Sequence, residues 1–212
     1  MTWIKICGIT NLEDALVAVE AGADALGFVF FEKSPRNIAP EVVREIVAKL
    51  PRQVEKVGLF IDQSADDIHA TAKEIALTAA QVYGGVDKYR EVLHLKLIPA
   101  LSFNKHPESS ARTWNPDAVY AFLLDSGAGA NLGGTGQKFD WVASKSVVEI
   151  IKRLGNVIVA GGLTPENVGE AMRILSPWGV DVSSGVEAQP GKKDPAKVRA
   201  FIEAVRRADS KN

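Results

Sequence analysis

The sequence predicts an α/β protein, a (β/α)8 TIM barrel forming a single domain over residues 1–212. Three observations lead there. Short apolar, β-branched runs recur along the chain, and amphipathic helical patterns fall between most of them. Such alternation describes βα units feeding one parallel sheet. The repeat is short: 212 residues over eight units is about 26 each, which suits a compact barrel better than an open doubly wound sheet with fewer strands. No linker and no low-complexity tract interrupts the pattern.

The elements follow in order. WIKIC (3–7) is the first strand, and Thr10 with Glu13 has the Thr-x-x-Glu spacing of a capping box ahead of the helical DALVAVEAG. ALGFVF (25–30) precedes PEVVREIVAK (40–49), with Pro in the first turn and apolar residues at helical spacing. KVGLFI (56–61) leads to a helix opened by Ser64 and Asp67. AAQVY (79–83) is followed by GGVDKYREVLH (84–94), which supports only a short helix. LKLIPAL (95–101) runs into the polar SFNKHPESSARTWNPD, read as a loop with about one helical turn. VYAFLLD (119–125) ends in a carboxylate and is separated by a Gly-rich segment from an amphipathic helix over Lys145–Leu154. NVIVA (156–160) precedes Thr164-Pro165-Glu166, a cap, a first-turn Pro and a first-turn acid leading NVGEAMRIL. GVDVS (179–183) is the eighth strand, and the last helix runs from Pro195 to Ala208.

Composition narrows the function. Hydrophobic residues are 46 % of the chain, enough for a sizeable core, and the formal net charge is −1 with both signs interspersed. A polyanion-binding surface is not expected, so nucleic acid is not a predicted partner. The absence of a cationic start with an apolar signal segment, and of any apolar run of 18, predicts a soluble cytoplasmic protein with no membrane contact. The lone Cys7 makes no internal disulfide, and His69, His94 and His106 are scattered, so no metal is predicted.

Candidate chemistry gathers at strand ends. In such a barrel the functional residues lie at the C-terminal ends of strands and in the loops beyond. Side-chain alternation puts Ile4 and Ile6 toward the helices and Lys5 and Cys7 toward the barrel mouth. A lone cysteine is either a small buried hydrophobe or a reactive thiol. Asp125 is either a backbone-bonded loop residue or a general acid or base. The Gly-rich segment after it lacks G-x-G-x-x-G and the Walker spacing, so no nucleotide cofactor is predicted, and a substrate lid is the better reading. Gly161 and Gly162 after the seventh strand, with Ser183, Ser184 and Gly185 after the eighth, are either ordinary turn residues or a phosphate cradle. Together these residues predict a phosphorylated small molecule handled by acid–base chemistry, such as an isomerisation.

Six stretches are more specific. KICGIT (5–10), GFVFFEKSPRNI (27–38), LLDS (123–126), GGTGQKFDW (133–141), AGGLTPENV (160–168) and GVDVSSGVE with PGKKD (179–194) together resemble the phosphoribosylanthranilate isomerase family of tryptophan biosynthesis. The resemblance covers nearly the whole chain in order. It implies a cofactor-free Amadori rearrangement of N-(5-phosphoribosyl)anthranilate to the 1-deoxyribulose 5-phosphate form. Asp125 then looks like the general acid that protonates the ribose ring oxygen, and Cys7 like the general base that takes the C2 proton. Arg36 is similar to the family's arginine over the anthranilate portion, and Asp181 to another substrate-contacting acid. Gly162, Ser183, Ser184 and Gly185 would hold the phosphate. Family members commonly read QLHG after strand four; here QVYG keeps Gln81 and puts Tyr83 where His is usual, so both are assigned to the substrate site. Nearby positive charge, Lys5 or a protonated imine, would favour the Cys7 thiolate. The remaining expectations are a small-molecule phosphorylated substrate as partner and a monomer or homodimer.

Overall fold

The computed structural model describes residues 1–84, 89, 95–126 and 140–210. Eight parallel strands close into a barrel in chain order: β1 (Trp3–Cys7), β2 (Ala25–Phe30), β3 (Glu55–Ile61), β4 (Ala79–Tyr83), β5 (Lys96–Ser102), β6 (Phe122–Asp125), β7 (Val157–Val159) and β8 (Gly179–Val182). The predicted barrel is therefore the fold. Helices α1 (Leu12–Ala21), α2 (Pro40–Val47), α3 (Ala65–Glu74), α4 (Pro107–Ala111), α5 (Trp141–Lys152), α6 (Val168–Leu175) and α7 (Pro195–Asp209) occur between and after them. Beyond β8, β9 (Glu187–Gln189) and β10 (Lys192–Lys193) form a small antiparallel hairpin.

The strands read as apolar on both faces because both are buried. Ile4, Ile6, Leu26, Phe28, Phe122, Leu124 and Val180 belong to the core between sheet and helices. The inward residues stack in layers. Trp3, Ala25, Val57, Ala79, Ile98, Leu123 and Ile158 pack together near the N-terminal end. Trp178 stacks on Trp3 at 5.3 Å, and Tyr120 meets Trp178 edge-on at 5.4 Å, sealing that end. Cys7, Val29, Leu59 and Ile61 line the opposite, open end. Between the two layers lies a polar one: Lys5 Nζ donates to Gln81 Oε1 and to Asp181 Oδ1, each at 2.9 Å.

Local expectations held at some helix starts and failed at others. Ser64 Oγ accepts from the Asp67 N–H as predicted, and Pro40 opens α2. The α1 cap is Asn11, not Thr10: its Oδ1 accepts from the Asp14 N–H, while the Thr10 hydroxyl donates to the Gly191 carbonyl. A tertiary contact has taken the side chain that the local pattern assigned to the cap. Thr164 is not the α6 cap either, since the helix begins at Val168 after a turn. Asn167 organises that turn, accepting from the Thr164 N–H at 2.8 Å and donating to the Gly162 carbonyl at 2.9 Å. Helix α5 starts at Trp141 behind the Asp140 cap, earlier than the predicted Lys145. The sixth strand is shorter than its apolar run, because Val119 makes only an isolated bridge to Leu97. The stretch after β5 holds more helix than predicted: 3-10 turns at Phe103–Lys105 and Pro116–Ala118 flank α4. The short helix expected within 84–94, apart from Gly84 and Tyr89, and the Gly-rich lid after Ser126 lie outside the described residues. No described helix is long and apolar enough to cross a membrane.

Candidate active site

The open end of the barrel holds one cavity of about 360 Å³ among the described residues. The structure brings every predicted site residue to its wall. Cys7 ends β1, Gln81 and Tyr83 end β4, Asp125 ends β6 and Asp181 lies in β8. Arg36 reaches it from the loop after β2, Gly161 and Gly162 from the loop after β7, and Ser183, Ser184 and Gly185 from the loop after β8. In the closed strand order, β7 and β8 separate β6 from β1. The thiol and the carboxylate therefore flank the two glycine- and serine-bearing loops.

Those loops are built by close backbone approach. A Cβ on Gly185 would lie 1.9 Å from the Leu163 carbonyl oxygen, so only Gly lets the two loops meet. Gly161 has φ +83°, and its Cβ position lies 2.7 Å from the Ser126 backbone nitrogen, against the end of β6. Ser183 Oγ is buried against this wall and has no hydrogen-bond partner among the described residues. A buried unpaired hydroxyl is costly unless a ligand satisfies it.

The profile of the family described as "PRAI: N-(5'phosphoribosyl)anthranilate (PRA) isomerase" matches residues 4–204. The chain belongs to the N-(5'-phosphoribosyl)anthranilate isomerase family. A relative of that name from Geotalea uraniireducens is 48 % identical over 205 residues, covering 95 % of this chain and 97 % of its own. The solved isomerase from Thermotoga maritima is 38 % identical, with a TM-score of 0.88 over 97 % of this chain and 99 % of its own. Another solved isomerase, in complex with reduced 1-(o-carboxyphenylamino)-1-deoxyribulose 5-phosphate, is also 38 % identical, with a TM-score of 0.84 and coverage of 97 % and 99 %. The chain is an isomerase, as its motifs predict.

In this isomerase the electrostatics centre on the polar layer beneath Cys7. Burial pushes the Cys7 thiol above its ordinary value; Lys5 pulls it down but does not cancel that effect. Lys5 thus acts on the thiol in the expected direction, by less than the desolvation it opposes. Lys5 itself sits above the usual lysine value, because Asp181 and Cys7 outweigh the burial that opposes its charge. Burial raises the Asp181 carboxyl against the pull of Lys5. Tyr83 is pushed well above the usual phenol value by burial, with Asp125, Cys7 and Asp181 adding to it, so its hydroxyl stays protonated. Gln81 Nε2 donates to Tyr83 Oη at 3.4 Å, extending the polar layer from Asp181 through Lys5 to the open end. Ser126 Oγ donates to Asp125 Oδ1 at 3.1 Å.

Two residues of the isomerase hold these groups without having been singled out in the sequence. Gly27 pairs with Cys7 across β1 and β2, and a Cβ there would lie 2.8 Å from Cys7 Sγ and 3.0 Å from Lys5 Cε. Gly27→Ala is expected to displace both side chains and lower kcat/KM by about tenfold or more. Steady-state kinetics check this; wild-type values would mean that Cys7 and Lys5 tolerate displacement. Glu187 is the other. It accepts from Arg36 Nε at 2.8 Å and Nη2 at 2.7 Å, a bidentate pair that fixes the guanidinium plane. Glu187 ends the GVDVSSGVE stretch, but nothing local marks its partner 151 residues away.

Proposed function

We propose that this isomerase converts N-(5-phosphoribosyl)anthranilate to 1-(2-carboxyphenylamino)-1-deoxyribulose 5-phosphate with Asp125 as general acid and Cys7 as general base. The observation that carries the reading is the shared cavity, in which the Cys7 and Asp125 strands flank the loops of β7 and β8. Gly161, Gly162, Ser183, Ser184 and Gly185 bind the phosphate through backbone N–H groups and the unpaired Ser183 hydroxyl. Arg36 and Tyr83, with Gln81 behind, receive the anthranilate portion, and Asp181 contacts the sugar.

The chemistry runs in three steps. Asp125 gives its proton to the ribose ring oxygen as the C1–O bond breaks, and the anthranilate nitrogen lone pair forms the imine. Cys7 as thiolate takes the C2 proton, and the C–H electrons move into a C1–C2 double bond, giving an enolamine. The enolamine loses its C2 hydroxyl proton and gains one at C1, leaving the ketone. Electrons and atoms balance without any cofactor. The protonated imine acidifies the C2 proton, so a base buried above its ordinary value suffices.

Lys5→Met isolates the charge beneath Cys7. Burial would then act on the thiol with less opposition, moving the Cys7 titration further up. Cys7 works deprotonated, so the ascending limb of kcat/KM against pH is expected to shift to higher pH. An unmoved limb removes Lys5 from thiolate activation. Steady-state turnover of phosphoribosylanthranilate by the purified wild-type protein is the primary test, and an inactive wild type sinks the substrate assignment.

The reading extends to the chain as a whole. One closed sheet running from residue 3 to residue 182 supports a single domain. A lone thiol with catalytic work fits a reducing cytoplasm. A solved relative, 36 % identical with a TM-score of 0.82, is a mutationally generated monomer of the dimeric Thermotoga maritima isomerase, which supports a homodimer as one of the two expected states.

A further inference from the structure

We infer that Lys193 is a positioning residue that sets both ends of the substrate site, holding Arg36 through Glu187 and the loop after β8 through the Ser183 carbonyl. The inference rests on the reading of Arg36 and of Ser183–Gly185 given above.

Lys193 ends β10 and is 1 % exposed. Its Nζ donates to Glu187 Oε1 at 3.0 Å and to the Ser183 carbonyl at 3.2 Å. Its backbone N–H donates to Asp14 Oδ2 at 2.8 Å, in the first turn of α1. An ammonium buried this deeply is disfavoured unless matched, and replacing such ion clusters with apolar side chains is often neutral or stabilising. Stability is therefore a poor reason for this cluster, of which Arg36 lines the cavity and Glu187 and Lys193 stand behind it.

Charge supplies a better reason. Glu187 alone would neutralise Arg36. With Lys193 present, two cations share one carboxylate, and the cluster keeps a surplus positive charge beside the cavity while the guanidinium remains locked in plane. An anionic anthranilate carboxylate needs both the charge and the fixed plane. The same ammonium fixes the carbonyl of Ser183, whose hydroxyl is the unpaired group on the phosphate side. The hairpin that carries Lys193 is wedged in place. Thr10 Oγ1 donates to the Gly191 carbonyl, and a Cβ on Gly191, where φ is +82°, would lie 2.9 Å from the Pro35 carbonyl oxygen. The hairpin that carries Lys193 thus joins the loops after β1, β2 and β8.

The test uses Lys193→Met, Glu187→Gln, the double variant and Arg36→Met, each with its thermal unfolding recorded. Three quantities are read: kcat and KM for phosphoribosylanthranilate, competitive inhibition by inorganic phosphate, and competitive inhibition by anthranilate. Lys193→Met is expected to raise KM by up to about a hundredfold, with a smaller change in kcat, and to weaken inhibition by both probes. Glu187→Gln should weaken inhibition by anthranilate and leave phosphate near wild type. The double variant removes the stranded carboxylate, so it keeps the test open if Lys193→Met does not fold, and it should weaken both probes. A folded Lys193 variant with wild-type inhibition by either probe overturns the two-ended role. Arg36→Met separates the two failures. If it leaves anthranilate inhibition intact, the assignment of Arg36 falls and the inference falls with it. If it abolishes that inhibition while Lys193→Met does not, only the inference falls.

Discussion

Cys7→Ser is expected to lower kcat by about a hundredfold to ten-thousandfold, the range for removal of a positioned general base. The substitution is nearly isosteric, which matters in this setting. Cys7 is 5 % exposed and is boxed in by Gly27 and Lys5, so a larger change would disturb the barrel as well as the chemistry. A serine hydroxyl at the same place does not ionise near neutral pH. KM should stay close to wild type, because the proposed phosphate and anthranilate contacts come from other residues, and a loss in kcat alone marks an interaction made only in the transition state. The pH profile adds an independent reading. With the thiol pushed up by burial, wild-type kcat/KM should rise through and above neutral pH, and that ascending limb should vanish in the variant. Wild-type kcat in Cys7→Ser would make the cysteine a packing residue.

Asp125→Asn is expected to cost a similar factor, about 10² to 10⁴ in kcat, by a different route. The amide keeps the shape of the carboxyl, and its oxygen can still accept from Ser126 Oγ. It has no acidic proton to give to the ribose ring oxygen, so ring opening becomes the slow step. A C2-deuterated substrate tells the two variants apart. The isotope effect should persist or grow in Cys7→Ser, where C2 proton removal is impaired. It should shrink toward unity in Asp125→Asn, where that step no longer limits the rate. Equal isotope effects in both variants would mean that the acid and base assignments do not divide the reaction as proposed.

Several features were legible because their signals are local. A buried parallel strand leaves an apolar run, so each of the eight runs lies at or next to a barrel strand. Alternation put Lys5 and Cys7 on the inner face, and the motifs put Asp125, Asp181 and the two phosphate-type loops at strand ends, where the cavity lies. What stayed hidden depends on partners distant in sequence. Thr10 resembles a helix cap until the hairpin carbonyl of Gly191 takes its hydroxyl. Thr164 resembles one until Asn167 folds the turn around it. Gly27 reads as an ordinary strand residue until β1 is laid beside it with Cys7 opposite.

The strand-helix alternation by itself determined the barrel, and the residue types at strand ends offered a thiol, a carboxylate and two glycine- and serine-bearing loops as candidates, because spacing along the chain is enough to encode periodicity and local backbone chemistry. Only the closed barrel decided the rest. It joined Lys5 to Asp181 across β1 and β8 and to Gln81 on β4, and it brought Arg36, Glu187 and Lys193 into one buried cluster. The strength of a charge depends on how deeply it is buried and what stands opposite. Burial and opposition come from the closure of the sheet, and no stretch of sequence holds both partners.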